Sequence, residues 1–291
     1  MTDESAAAPR PRSRLAWTAQ LVLIPLIIVA VGLSVFILFG LVAHEQRSGA
    51  DYLREIRSGT STRRWQAAFE LARDLRRSGP GDVRAMVPQV IETFEWARNE
   101  DPKIRRYLAQ ALGTLGDPRA LDALESALDD PDADTRLWSA RALALLGEPA
   151  ATDALVRHLS DADPAVRKET AHALAVLGAS SARDDIAGLL DDGTVDVRWN
   201  AALALAWLDD DRGLAVLLSM LDRTGLAAVS GLRPDQADQV VLGAVEALDR
   251  LGSPGGAVDA LREVSRKDTS LQAREAALHA LSRQGSGPRP R

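Results

Sequence analysis

The stretch DPAVRKETAHALAVLG (163–178) places Asp163, Arg167 and His172 within one helical pattern. A carboxylate, a guanidinium and an imidazole held together can polarise a nucleophile or hold an anion. His titrates near neutrality, and Arg presents a fixed fork of donors. The internal repeats of the chain test that reading. Arg105, Arg136, Arg167 and Arg198 recur at one constant interval, while the slot five positions later holds Gln110, Arg141, His172 and Leu203. His172 has no counterpart and lies off the apolar stripe, so it reads as a solvated side chain. The Arg row has an Asp near every member (Asp101, Asp132, Asp163 and Asp196), which predicts a structural ladder paired with those carboxylates or with turn carbonyls. The alternative is an anion site.

Two further sets of residues are candidates for contact with a partner. Asp122, Asp153 and Asp184 recur at the same interval as the Arg row, in the first turn of a second helix, with Glu125 and Asp185 beside them. A carboxylate there is favoured by the helix dipole alone. On helices expected to line a concave face, the same row makes an acidic groove for a basic segment. Tyr107 and Trp138 stand two positions after their Arg and Trp199 one position after. Such rings anchor interfaces or fill gaps between repeats.

Several chemistries are absent from the sequence. There is no Cys, which excludes disulfides, thiolate zinc sites and a cysteine nucleophile. The remaining histidines (His44, His158 and His279) are scattered, and no phosphate loop or nucleophile elbow is present. The expectation is a non-enzyme with no cofactor, metal or small-molecule substrate. Of the net charge of −6, residues 101–291 carry −8 (22 basic, 30 acidic), which argues against nucleic acid as a partner.

What must position these residues is a pair of helices per repeat. Four positions after each Arg stands Ala (109, 140, 171, 202), seven after stands Leu (112, 143, 174, 205), and ten after stands Leu again (115, 146, 177, 208). In 163–178, Asp163 is the N-cap, Pro164 opens the helix, Val166, Thr170, Ala171, Leu174 and Leu177 form the buried stripe, and Gly178 ends it. A second helix follows with Leu124, Leu155, Ile186 and Leu217, then Leu128, Leu159, Leu190 and Leu221. Neither helix buries its stripe alone, whereas stacked pairs do. Weaker copies begin near 238 (Val241 in the Arg slot), near 271 (Arg274) and, before the regular block, at 63–75 with a second helix at 83–98. Residues 224–234 read as an insertion and 286–291 as a disordered tail.

The pattern DPxVRxxxAxALxxLG at 101–116 and 163–178 resembles the short HEAT-like repeat of the phycobilisome-lyase type, over roughly residues 60–285. The resemblance implies an all-α fold, a right-handed α-solenoid of about seven units. Repeats of this kind include scaffolds, adaptors, bilin lyases, a hydroxylase with His–Glu iron ligands and DNA glycosylases. Only one His–Glu pair, His44–Glu45, occurs here, and the acidic body lacks a basic cleft. A scaffold or adaptor for protein partners is therefore expected, with a bilin-lyase-like or other enzyme-associated role as the alternative.

Ahead of the repeats, a basic tail (1–14) leads into residues 15–43, which contain no charged side chain. About 20 apolar residues cross a bilayer as a helix. The stretch predicts a single-pass anchor in a bacterial inner membrane, followed by a juxtamembrane segment at 44–59. Arg10, Arg12 and Arg14 favour a cytoplasmic N-terminus, with the repeats in the periplasm and membrane or envelope proteins as partners.

Overall fold

The computed structural model describes residues 25–36, 47–78 and 81–284. The chain divides into two units, Met1–Arg47 and Ser48–Arg291. In the first, residues 25–36 form an exposed helix. Among the described residues no helix is long and apolar enough to cross a membrane. The rest of the expected 15–43 span lies outside the described residues, as do the tails 1–14 and 286–291.

The second unit is entirely helical among its described residues. It opens with α1 (Gly49–Ser58), α2 (Ser61–Ser78) and α3 (Val87–Trp96). Three regular helix pairs follow: α4 (Pro102–Leu115) with α5 (Leu121–Ser126), α6 (Ala133–Leu146) with α7 (Thr152–Arg157), and α8 (Pro164–Val176) with α9 (Arg183–Ala187). Next come α10 (Val195–Trp207), α11 (Leu214–Ser219), α12 (Arg223–Ala227), α13 (Pro234–Arg250), α14 (Ala257–Lys267) and α15 (Leu271–Gln284). Within 44–59, expected to be a juxtamembrane linker or helix, α1 buries Tyr52, Leu53 and Ile56 in the repeat core, and the Tyr52 hydroxyl donates to Asp74 at 2.6 Å.

Local chemistry sets the helix limits. Asp101, Asp132 and Asp163 cap α4, α6 and α8 by accepting the N–H of Lys103, Thr135 and Ala165. Gly116, Gly147 and Gly178 close the first helices with φ between 59° and 76°, a region open to Gly without Cβ strain. In the fourth copy the same slot holds Asp209, forced to φ 57°. The second helices are composites of short α and 3-10 turns, as in Pro118–Ala120, Leu121–Ser126 and Ala127–Asp129.

The first helices α4, α6, α8 and α10 pack side by side. The Ala and Leu rows at four and seven positions after each Arg are fully buried in all four copies. A further Ala row (Ala111, Ala142, Ala173 and Ala204) is buried as well, so each helix is covered on more than its single expected stripe. These small side chains let the helices approach closely: a Cβ built on Gly113 would lie 2.8 Å from the Cα of Ala142. The second-helix register slips late in the array. Leu128 and Leu159 are buried, but Leu190 and Leu221 are half-buried, and Leu189 and Met220 take their place. At Leu189 the closing 3-10 turn, Gly188–Asp191, begins one position earlier in the register than Ala127–Asp129 and His158–Ser160 do, and this tighter winding shifts the buried slot by one residue.

Candidate functional site

The Arg row lies along the inter-repeat turns and donates to turn carbonyls as expected, but its Asp partners differ from those the sequence suggested. Asp101, Asp132 and Asp163 are occupied as helix caps. Arg105, Arg136 and Arg167 each reach instead to an Asp much further downstream, at the end of the next second helix. Arg105 grips Asp130 through Nε (2.7 Å) and Nη2 (2.9 Å), Arg136 grips Asp161 (2.8 and 2.8 Å), and Arg167 grips Asp192 (2.8 and 2.9 Å). The remaining Nη1 donates backwards, from Arg136 to the Asp130 carbonyl and from Arg167 to the Asp161 carbonyl, both at 2.8 Å. The result is a continuous relay in which every Asp serves two repeats. Asp196 does not join it; it lies 3.9 Å from Lys168 on the surface.

The electrostatics follow from this geometry. Burial pushes the Asp161 carboxyl up, but the Arg136 hydrogen bonds outweigh it and hold the group below the usual carboxylate value. Arg167 likewise lowers Asp192, and Arg106 lowers Asp132. Burial lowers His158, which lies 3.6 Å from Asp129 and 4.0 Å from Asp161. A guanidinium with a bidentate carboxylate is a strong geometric tie.

The other candidates are dispersed. Asp122, Asp153 and Asp185 are exposed and Glu125 half-buried, with no ion-pair partner among the described residues. Asp184 is already met by Arg212 at 2.8 Å. Tyr107 is half-buried edge-on against Phe69, with ring centroids 5.2 Å apart. Trp138 is half-buried beneath the Arg141 guanidinium (4.8 Å), and Arg141 in turn clamps the buried Glu169 of the next repeat at 2.7 and 2.6 Å. Trp199 is only 7% exposed and belongs to the core, so it offers a partner almost nothing. It packs in one cluster with Leu217, Leu226 and Val241.

One row escaped the sequence reading. Leu145, Val176 and Trp207 each stand nine positions after an Arg of the ladder, in successive repeats, and are 59%, 46% and 57% exposed. Thr114 continues the row in one direction. In the other, the Arg250 guanidinium lies 5.8 Å from the Trp207 ring. The spacing was visible in the sequence; their exposure was not, because apolar residues on these helices read as core.

Two grooves interrupt the surface. One, of about 280 Å³, includes Phe94, Arg98, Ser126 and the Arg105–Asp130 pair. The other, of about 440 Å³, lies between α11–α12 and α14 and includes Leu221, Arg223, Val264 and Asp268. In the second, Arg223 holds Asp268 at 2.9 and 2.6 Å and Asp238 at 2.7 Å. No group of three His, Cys, Asp or Glu side chains able to hold a metal occurs among the described residues.

Comparison with known proteins agrees with this architecture. No curated protein matches the chain in sequence. Among solved structures, the complex of CpcE and CpcF of phycocyanin lyase from Nostoc sp. PCC7120 is similar, at 21% identity and TM-score 0.53, covering 82% of this chain and 95% of that one. YibA of E. coli is similar at 20% identity and TM-score 0.54, covering 81% of this chain and 83% of the other. At these identities the likeness concerns the fold. The family model of HEAT repeats matches residues 92–175 and 154–229.

Proposed function

We propose that the chain is a membrane-anchored scaffold whose HEAT stack recruits a partner protein through the outer edge of its first helices. The observation that carries this reading is the row Leu145, Val176 and Trp207, three large apolar side chains exposed at one slot of successive repeats. Isolated exposed apolar residues are ordinary, but a regular row on rigid, adjacent helices offers a contact surface whose desolvation favours association. The charged groups inside the stack are paired with one another, which favours binding over chemistry. The acidic row Asp122–Asp153–Asp184 is a second surface for basic segments of the partner. Residues 15–43 would fix the scaffold in an inner membrane, with the repeats on the periplasmic side.

The test is crosslinking and affinity purification from native membranes. Wild type is compared with a Leu145→Ser, Val176→Ser, Trp207→Ser variant and with an Asp122→Asn, Asp153→Asn, Asp184→Asn variant. The apolar variant should lose the partner while keeping its thermal midpoint, and the Asn variant should weaken the association in a salt-dependent way. An unchanged partner set in both variants sinks the assignment of these faces. A pigment copurifying with the wild type would favour the lyase-like alternative. Protease protection in spheroplasts tests orientation, since a repeat domain resistant to external protease contradicts a periplasmic location.

A further inference from the structure

Arg198 is built like the other members of the ladder and lacks their carboxylate. Its Nη1 donates to the Asp192 carbonyl at 2.7 Å, matching the anchors of Arg136 and Arg167. In Arg105, Arg136 and Arg167 the opposite edge, Nε and Nη2, grips both oxygens of the downstream Asp, always at the same sequence interval. At that interval after Arg198 the chain has Arg223, a cation, which is turned to Asp268 and Asp238 instead. No carboxylate meets the Nε–Nη2 edge of Arg198 among the described residues.

We infer that this edge of Arg198 is a docking point for an Asp side chain supplied by a partner protein in a tight turn of the form Asp-x-Asp, Asp-x-Thr or Asp-x-Ser. The sister clamps define the ligand. Each carboxylate that fills one also accepts the backbone N–H two residues further on: Asp130 from Asp132 at 2.9 Å, Asp161 from Asp163 at 2.8 Å and Asp192 from Thr194 at 2.8 Å. The receptor therefore matches a carboxylate already ordered by its own turn. The anchored guanidinium is pre-ordered too, so both sides lose little freedom on pairing. The inference deepens the scaffold reading by naming the chemistry of one contact, and it does not depend on which face carries the apolar row.

The test uses the full-length chain and a labelled peptide with the sequence of the first turn, Ac-Asp-Asp-Pro-Asp-Ala-Asp-NH2 (residues 129–134), followed by fluorescence anisotropy. Saturable binding is expected. Replacing the second Asp of the peptide by Asn should weaken it about tenfold or more, the size of a charge-assisted hydrogen-bonded pair. Arg198→Lys, which keeps the charge but not the fork, should lose a similar factor. In the unmutated chain, the Arg198 Nε–H resonance should move on adding the Asp peptide and stay still with the Asn peptide. Equal binding to wild type and Arg198→Lys, a silent Arg198 resonance, or displacement by an equal concentration of inorganic phosphate would each overturn the assignment. Because the probe is synthetic, failure here leaves the apolar-row experiment intact, and the reverse holds.

Discussion

Residues 101–222 and residues 223–284 solve the same problem in different ways. In the first region Arg105, Arg136 and Arg167 each grip the Asp that ends the following second helix. In the second, the Arg slot holds the fully buried Val241, yet Asp268 ends its helix as Asp130, Asp161 and Asp192 do, and accepts the N–H of Ser270. The guanidinium it needs comes from the inserted helix α12 in the form of Arg223. Arg223, at the Asp slot of the fourth repeat, thus supplies the guanidinium that the degenerate repeat lacks at Val241. Among the described residues, Arg198 is left as the one member of the regular row without a carboxylate.

The largest effect is expected from breaking the regular ladder. In the Arg105–Asp130 pair both side chains are about 5% exposed. Asp130→Ala should therefore cost about 3–5 kcal/mol in urea unfolding, because it leaves a buried guanidinium unpaired. Arg223→Ala, at a pair whose Arg is 27% exposed, should cost about 1–3 kcal/mol. No cost at Arg223 would show that the inserted helix does not replace the missing member. Packing comes next: Leu174→Ala should lose about 2–5 kcal/mol by leaving a cavity. On the same helix, His172→Ala, with a side chain 59% exposed, should stay within about 0.5 kcal/mol. Similar losses at the two sites would mean the buried and exposed faces of α8 are exchanged.

Acid should act on both regions together. Asp161, Asp192 and Asp268 all titrate below their ordinary 3.8 in the folded chain, against burial at Asp161 and Asp268 and through their Arg partners. The unfolded chain then binds more protons, so the ladder's contribution is fully present well above pH 3.8 and is lost as pH falls through the folded values. Burial depresses His158 below 6.5, which adds a loss of the same sign as pH falls below that value. A thermal midpoint flat from pH 7 to pH 3 would contradict both, and His158→Gln should flatten only the upper limb. The smallest effect is a gain. Asp209→Gly should raise stability by up to about 1 kcal/mol, because Gly occupies the left-handed region without a Cβ clash. The lost Asp209–Arg250 contact is exposed and of little value.

Much of the fold was legible from periodicity. The Ala and Leu rows, the Asp caps and the closing Gly residues act where the repeat register places them. The ladder partners were misread because the nearest Asp in sequence is not the nearest in space. Asp130, Asp161 and Asp192 share the same spacing, but only the packing of one repeat on the next brings them to the Arg. Trp199 is covered by contacts distant in sequence, since it belongs to the core cluster that contains Leu226 and Val241. Leu145 and Val176 drew no reading, because hydrophobicity alone does not reveal which side of a packed alanine-rich helix is left bare.

The shared Asp has a consequence for how such a chain changes length. Because each carboxylate closes one unit and anchors the next, no single unit is complete, but any stretch of one full period is exchangeable in phase. Removing residues 131–161 would set Asp130 six positions before Arg167, the interval that now separates Asp130 from Arg136. Arg105, Asp130, Arg167 and Asp192 would then close without a gap. A deletion one residue shorter or longer would bring together an Arg and an Asp that miss each other. The molecule can be shortened or lengthened by duplication, but only in whole steps, and the grip of Arg on Asp is what sets the size of the step.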